Sequence, residues 1–168
     1  MEYYTVFEGS FRIKKPLNPA QVAYIQVFNE IRHIARNEEL ISSLPDPIRL
    51  DVGIEEVGEE GEYYTGNTNK AIVFSENTPP LNQHGLWCHW TVTDDGTELA
   101  WDEGENFYNY VFWLQYLIDH FLIRFGSELS GEVAWAGDEP DDTGIIMVVN
   151  NKIFVHHNWN RSVEYHSF

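Results

Sequence analysis

The sequence predicts an α+β domain, with two long helices packed on one face of a mainly antiparallel sheet of about five to six strands. Three observations predict it. Apolar residues recur at helical spacing twice, near residues 19–36 and 107–125. The stretches around them alternate apolar and polar residues, as half-buried strands do. Two tight turn signals, Asp94-Asp95-Gly96 and Asn150-Asn151, join neighbouring strands as hairpins, and hairpins make antiparallel pairs. A chain of 168 residues suits one domain, 1–168, with core enough to fold without disulfides.

Taken in order, residues 3–13 put Tyr3, Thr5, Phe7, Phe11 and Ile13 on one face of a strand, with Gly9 marking a bulge or a close approach. Asn18-Pro19 is a helix start, with Asn as N-cap and Pro at the first helical position. Val22, Ile25, Phe28, Ile31 and Ala35 carry the helix to Arg36, and Arg32, His33 and Arg36 suit the negative end of its dipole. Residues 45–70 read as an acidic loop region holding Glu55, Glu56, Glu59, Glu60 and Glu62, followed by a short strand at 71–74.

The stretch from Gly85 to Gly126 is the centre of the reading. It holds four of the six tryptophans and the single cysteine. Residues 86–92 and 97–101 form a hairpin. Glu105 or Asn106 then caps a helix from Phe107 to Phe125, which Gly126 ends as a left-handed cap. Beyond it come a strand over 129–135, an acidic turn over 137–143, and the hairpin 145–149/152–157. The polar tail after Trp159 is expected to fray.

Composition narrows function. Twenty-seven acidic against ten basic side chains give a net charge of −17. That argues against direct nucleic-acid binding and against attraction to anionic membranes, and favours solubility or a partner with a basic surface. One cysteine fits a reducing compartment. With no signal-peptide pattern and no membrane span, the expected location is cytoplasmic.

Motifs for chemistry are few. Cys88 lies between Trp87 and His89, and His89 points to the opposite strand face, so it cannot readily activate the thiol. His156 and His157 likewise face opposite sides, and no H-E-x-x-H or C-x-x-C occurs. Asp138, Glu139, Asp141 and Asp142 offer oxygens without the spacing of a calcium loop, so a solvated turn is expected. No catalytic residue, metal site or cofactor is expected.

The joint between hairpin and helix stands apart. There Trp101, Asp102, Glu103, Glu105 and Tyr108 bring carboxylates, a helix start and aromatic rings together. With Trp87 and the acidic turn Asp138, Glu139, Asp141 and Asp142, they form the candidate binding surface.

The segments GLWCHW, DGTELAWDEGENFYNYVFWLQYLIDHFL and LSGEVAWAGDEPDDTGIIMVVNNKI, with PLN, SLPDP and GEYYTG before them, resemble a group of small acidic proteins found in bacterial and bacteriophage genomes. The resemblance covers most of the chain. That group has no assigned activity, so the resemblance implies a compact intracellular protein of phage or mobile-element origin and supplies no catalytic residues. The expectation is a non-enzymatic acidic binding protein, an inhibitor or nucleic-acid mimic that engages a basic protein. The alternative is a small metal- or carboxylate-dependent hydrolase at the joint, with Glu105, Glu132 and a histidine around one pocket.

Overall fold

The computed structural model describes residues 2–37, 51–53, 73–75, 77–80, 83–157 and 165–167. The acidic run at 55–62 and most of the 45–70 region lie outside the described residues. In chain order the elements are β1 (Thr5–Ile13), α1 (Pro19–Glu30), β2 (Ala35–Arg36), β3 (Val73–Ser75), β4 (Trp90–Val92), β5 (Glu98–Trp101), α2 (Tyr110–Leu117), β6 (Leu129–Gly137), β7 (Thr143–Val149), β8 (Lys152–His157) and β9 (Tyr165–Ser167). A π-helical turn, Ile118–Leu122, continues α2.

Seven strands form one antiparallel sheet in the order β4-β5-β1-β6-β7-β8-β9, and β2 pairs with β3 separately. Six of the seven fall within the expected number. The seventh, β9, arises in the tail that was expected to fray. The longest ladder joins β1 and β6, from Thr5 opposite Gly137 to Ile13 opposite Leu129. Gly9 sits in its middle with φ +99°, and a Cβ there would lie 2.7 Å from the Glu132 carbonyl oxygen. The close approach expected at Gly9 is therefore present.

Alternation decides which side of the sheet is dry. Phe7, Phe11 and Ile13 of β1, Trp90 and Val92 of β4, Leu99 of β5, Leu129, Val133 and Trp135 of β6, Ile146 and Val148 of β7, and Ile153 and Val155 of β8 are buried in one cluster with both helices. Residues between them, such as Val6, Glu8 and Glu132, are exposed. Tyr24 and Phe28 of α1 meet Phe121 edge-on at 5.7 and 5.1 Å, which ties the helices to each other. Each such aromatic ring contributes about 1.5–3 kcal/mol by leaving water.

Both helices are shorter than the periodicity predicts. α1 has 12 residues and stops at Glu30, so Arg32, His33 and Arg36 are not in its last turn. Tertiary pairing overrides the pattern. Residue Ile31 turns extended, the His33 amide donates to the Leu86 carbonyl, and Ala35–Arg36 pair with β3. His33 still serves the helix end, since its Nε2 lies 3.0 Å from the carbonyl oxygen of Phe28. The N-terminus matches the expectation: Asn18 accepts the Gln21 amide, and Gln21 answers at the Asn18 amide as a capping box.

α2 starts at Tyr110, not Phe107, and neither Glu105 nor Asn106 caps it. Glu103, Asn106 and Asn109 have φ of 67°, 58° and 56°, outside the right-handed helical region, so 102–109 is a loop. Phe107 is buried at 2% exposure as a loop residue. Its place in the apolar stripe was therefore no sign of helix. Gly126 closes the segment with φ +72°, and Asn150 and Asn151 turn the β7–β8 hairpin with φ of 48° and 70°, as their residue types require.

One face of α1 covers the edge of the sheet. Carbonyls of β4 and of Cys88 just before it, which no described strand pairs, point at it. Gln26 Nε2 donates to the Val92 carbonyl (3.0 Å), and Asn29 Nδ2 donates to those of Cys88 (2.8 Å) and Trp90 (3.1 Å). An edge strand left bare is a template for pairing with other chains, and here two amide side chains one helical turn apart satisfy it.

Candidate functional site

Two of the predicted acidic segments come together, and the N-terminus is what joins them. Tyr3 Oη donates to Asp142 Oδ2 at 2.6 Å, and the Glu139 amide donates back to Tyr3 Oη at 3.2 Å. The Tyr4 amide donates to Asp138 Oδ2 at 2.8 Å, and the Tyr3 amide donates to Tyr108 Oη at 3.4 Å. Residues 3–4 thus bridge the loop over 102–109 and the turn over 138–142, two segments separated in sequence by the whole of α2 and β6.

The electrostatics follow. Tyr4 Oη donates to Glu2 at 2.6 Å, and this bond, the Glu2 charge and then the Glu105 charge push its pKa up to about 12, with Asp138 adding to it. The Asp142 hydrogen bond raises the Tyr3 pKa. Burial raises that of Tyr110, and the Asp142 charge adds to it. Three phenols therefore stay protonated in a field of carboxylates. At this end of the sheet Tyr4 is 41% and Tyr108 51% exposed. Lys14 and Lys15 follow Ile13 at the other end, and Lys152 opens β8 there beside the Asn150-Asn151 turn, whose Asn151 amide bonds Leu129. Among the described residues the only ion pair of a lysine or arginine with a carboxylate is Lys14–Glu128, 3.8 Å, also at that far end.

The other predicted residues divide. Asp142 also accepts from Trp135 Nε1 at 2.9 Å, so it anchors the turn. Glu103, Glu105, Asp138, Glu139 and Asp141 are exposed. Trp101 is half-buried: its ring lies 5.3 Å from Phe7 and its Nε1 donates to the Gly104 carbonyl at 3.0 Å. It belongs more to the core than to a surface. Trp87 is 44% exposed.

No family model matches this chain, and neither a curated protein nor a solved structure matches it.

Asp102 belongs to a second arrangement on the same loop. Its carboxylate accepts from His89 Nδ1 (3.1 Å), Asn29 Nδ2 (3.0 Å) and the Gly104 amide (2.7 Å). Partial burial pushes the Asp102 pKa up, but hydrogen bonds from His89, Asn29 and Gly104 outweigh it and leave the pKa below its ordinary value. Space is tight, because a Cβ on Gly104 would collide with the His89 ring. The His89 ring stands edge-on to Phe107 at 5.2 Å. A carboxylate holding Nδ1 fixes the ring orientation and leaves Nε2 as the base.

Cys88 is fully buried, and burial raises its thiol pKa, in keeping with a structural role. Glu132 sits on the exposed face of β6 opposite Ser10, so it does not join Glu105 and a histidine in one pocket. Among the described residues no three His, Cys, Asp or Glu side chains group as metal ligands, and no helix is long and apolar enough to cross a membrane.

Glu2, Tyr3, Tyr4, Asn29 and His89 were missed as members of these arrangements. Tyr3-Tyr4 carried a signal in hindsight. Two adjacent tyrosines ahead of a strand turn one ring to each face, and the outward one is costly in apolar surface unless something packs on it. The His89–Asp102 pairing depends on hairpin register, where Trp90 faces Trp101 and the next pair outward is His89 and Asp102.

Proposed function

We propose that this protein is a non-enzymatic binding protein whose acidic, tyrosine-bearing end engages a basic segment of a partner protein, as an inhibitor or nucleic-acid mimic. One observation carries the reading. Glu2, Glu105 and Asp138 all act on Tyr4 at the end of the sheet remote from Lys14, Lys15 and Lys152. Exposed phenols between carboxylates suit arginine, whose planar guanidinium stacks on aromatic faces while it bonds carboxylates. The strained backbone of Glu103, φ 67°, lies on the same loop, and strain of this kind concentrates at functional positions. The reading includes a cytoplasmic setting and, on the resemblance to small acidic proteins of bacterial and bacteriophage genomes, a phage or mobile-element origin.

The test is calorimetric titration with an arginine-rich peptide and, separately, with a glutamate-rich peptide of equal length. The first is expected to bind at about 0.05 M salt and to weaken steeply towards about 0.5 M, where screening shortens to a few ångströms. Equal affinity for both peptides, or affinity indifferent to salt, overturns the proposal.

A second reading rests on the His89–Asp102 hydrogen bond. It makes the joint a small hydrolytic site in which His89 Nε2 accepts a proton from water while Asp102 orients the ring. Hydrolysis of activated esters should then fall at least about tenfold in His89→Gln. An unchanged rate removes this reading and leaves the dyad structural.

A further inference from the structure

We infer that the segment at 83–85 and helix α2 enclose a binding site for one small uncharged molecule bearing a hydroxyl group, held between Gln83 and Trp113. This site is separate from the acidic end and does not depend on the function proposed for it. Its starting point is a pair of complementary polar atoms. Gln83 is 6% exposed and Trp113 is fully buried. Gln83 Nε2 donates to Tyr116 Oη at 3.2 Å, yet among the described residues Gln83 Oε1 and Trp113 Nε1 have no hydrogen-bond partner. One is an acceptor and the other a donor. Native interiors very rarely leave such groups unpaired.

Both side chains border Tyr116. Trp113 and Tyr116 lie one turn apart on α2, with ring centroids 5.6 Å apart. Gln83 reaches Tyr116, and Gly85 lies over the indole nitrogen, where a Cβ would stand 3.4 Å from Trp113 Nε1. Between them, the His84 ring is 6.0 Å from Trp113 and 6.4 Å from Tyr116. Asn109 Nδ2 donates to the His84 carbonyl at 2.7 Å and pins the segment against the helix. Below it, the π-helical turn carries His120 onto Tyr116, stacked at 4.0 Å and 11°, which fixes the Tyr116 ring. π-helical turns recur at functional sites.

The chemistry of the occupant follows from the pair. A hydroxyl oxygen accepts from the indole N–H and donates to the amide carbonyl at once. A charged occupant would lose its hydration among the rings of Phe28, Trp113 and Tyr116. Burial, with His120 nearby, lowers the His84 pKa, so the adjoining imidazole is neutral near neutral pH. A hydroxyl of this kind comes either from an enclosed water molecule or from a small alcohol taken up in the cell.

Four measurements decide it. In the unmodified protein, the Trp113 indole N–H is expected to show a nuclear Overhauser contact with a long-lived bound molecule, and a high-resolution crystal an ordered oxygen within hydrogen-bond distance of both atoms. Native mass spectrometry before and after unfolding and refolding in alcohol-free buffer separates the sources, since an adduct lost on refolding is an alcohol and its absence from the start is water. In a thermal-melt cycle of Gln83→Met, Trp113→Phe and both together, the two losses in Tm should not add, because either change already strands the same molecule. No bound oxygen in the unmodified protein, or fully additive losses, overturns the site. The first readout needs no variant, so a failure of either substitution to fold leaves the question answerable.

Discussion

At the scale of single residues, Asp102 is the most exacting position. It takes three donors, from His89, Asn29 and Gly104, that belong to β4's approach, helix α1 and its own loop. Its pKa is lower in the folded chain than the ordinary value of about 3.9. The sign of the linkage follows. The ionised form is favoured by folding, so its contribution is complete above the unfolded pKa and is lost as pH falls through the folded one. Asp95 acts in the same direction, because the Thr97 and Thr93 hydroxyls hold its carboxylate. Urea titrations from neutral pH downwards should show stability falling below about pH 4, and in Asp102→Asn that acid limb should be shallower. An equally steep limb in the variant would mean that Asp102 is not among the groups responsible. Gly104→Ala acts at the same place by crowding the His89 ring, and a loss of about 1–3 kcal/mol in chemical denaturation is expected.

Among the secondary-structure elements, the contact of α1 with the β4 edge is the most informative. Asn29 shares the two hydrogens of one amide among the carbonyls of Cys88 and Trp90 and the Asp102 carboxylate, at 2.8, 3.1 and 3.0 Å. Asn29→Leu removes these donors without adding much volume. It should lower stability by about 2–3 kcal/mol, because buried acceptors are then left unpaired. Light scattering on warming should also rise sooner than in the parent protein, as the bared edge offers a strand template. A variant that is destabilised but no more prone to aggregate would show that the edge is covered by other means.

The same elements mark what sequence reasoning can reach. The two faces of β1, the Asn18 cap, the Gly126 stop and the Asn150-Asn151 turn were legible because each is set by neighbours a few positions away. The end of α1 was not, because residues 31–36 are drawn out of the helix by Leu86, Thr78 and β3, partners more than 35 positions distant. Nor was the loop at 102–109, where Phe107 fits a helical stripe while three neighbouring residues have positive φ. For the site, the carboxylate-rich segments were visible. Their meeting through Tyr3 and Tyr4 depends on the β1–β6 register and was not.

For the molecule as a whole, the net charge of −17 is less telling than its distribution. A protein bearing this charge repels itself, and salt relieves the repulsion. Raising sodium chloride from about 0.05 to about 0.5 M should therefore raise Tm, whatever the acidic end does. Binding of a basic peptide needs a sharper control, because any strongly acidic protein attracts one weakly. Reversing Glu105 and Asp138 to lysine changes the charge by two units at each position, from −17 to −13. Reversing Asp94 and Asp119 gives the same −13 but leaves the Tyr4 surroundings intact. Asp94 sits at the far tip of the β4–β5 hairpin, and Asp119 on the π-helical turn. If the Tyr4 end is the docking surface, Glu105→Lys/Asp138→Lys should weaken an arginine-rich peptide about tenfold or more at low salt, and the control pair only severalfold. The Tyr4 phenol gives a second readout in the same protein. Removing Glu105 and Asp138 should bring its pKa down from about 12, observable as earlier phenolate absorbance in an alkaline titration. Equal weakening by both pairs would assign the binding to net charge and leave the convergence of the two acidic segments without a functional role.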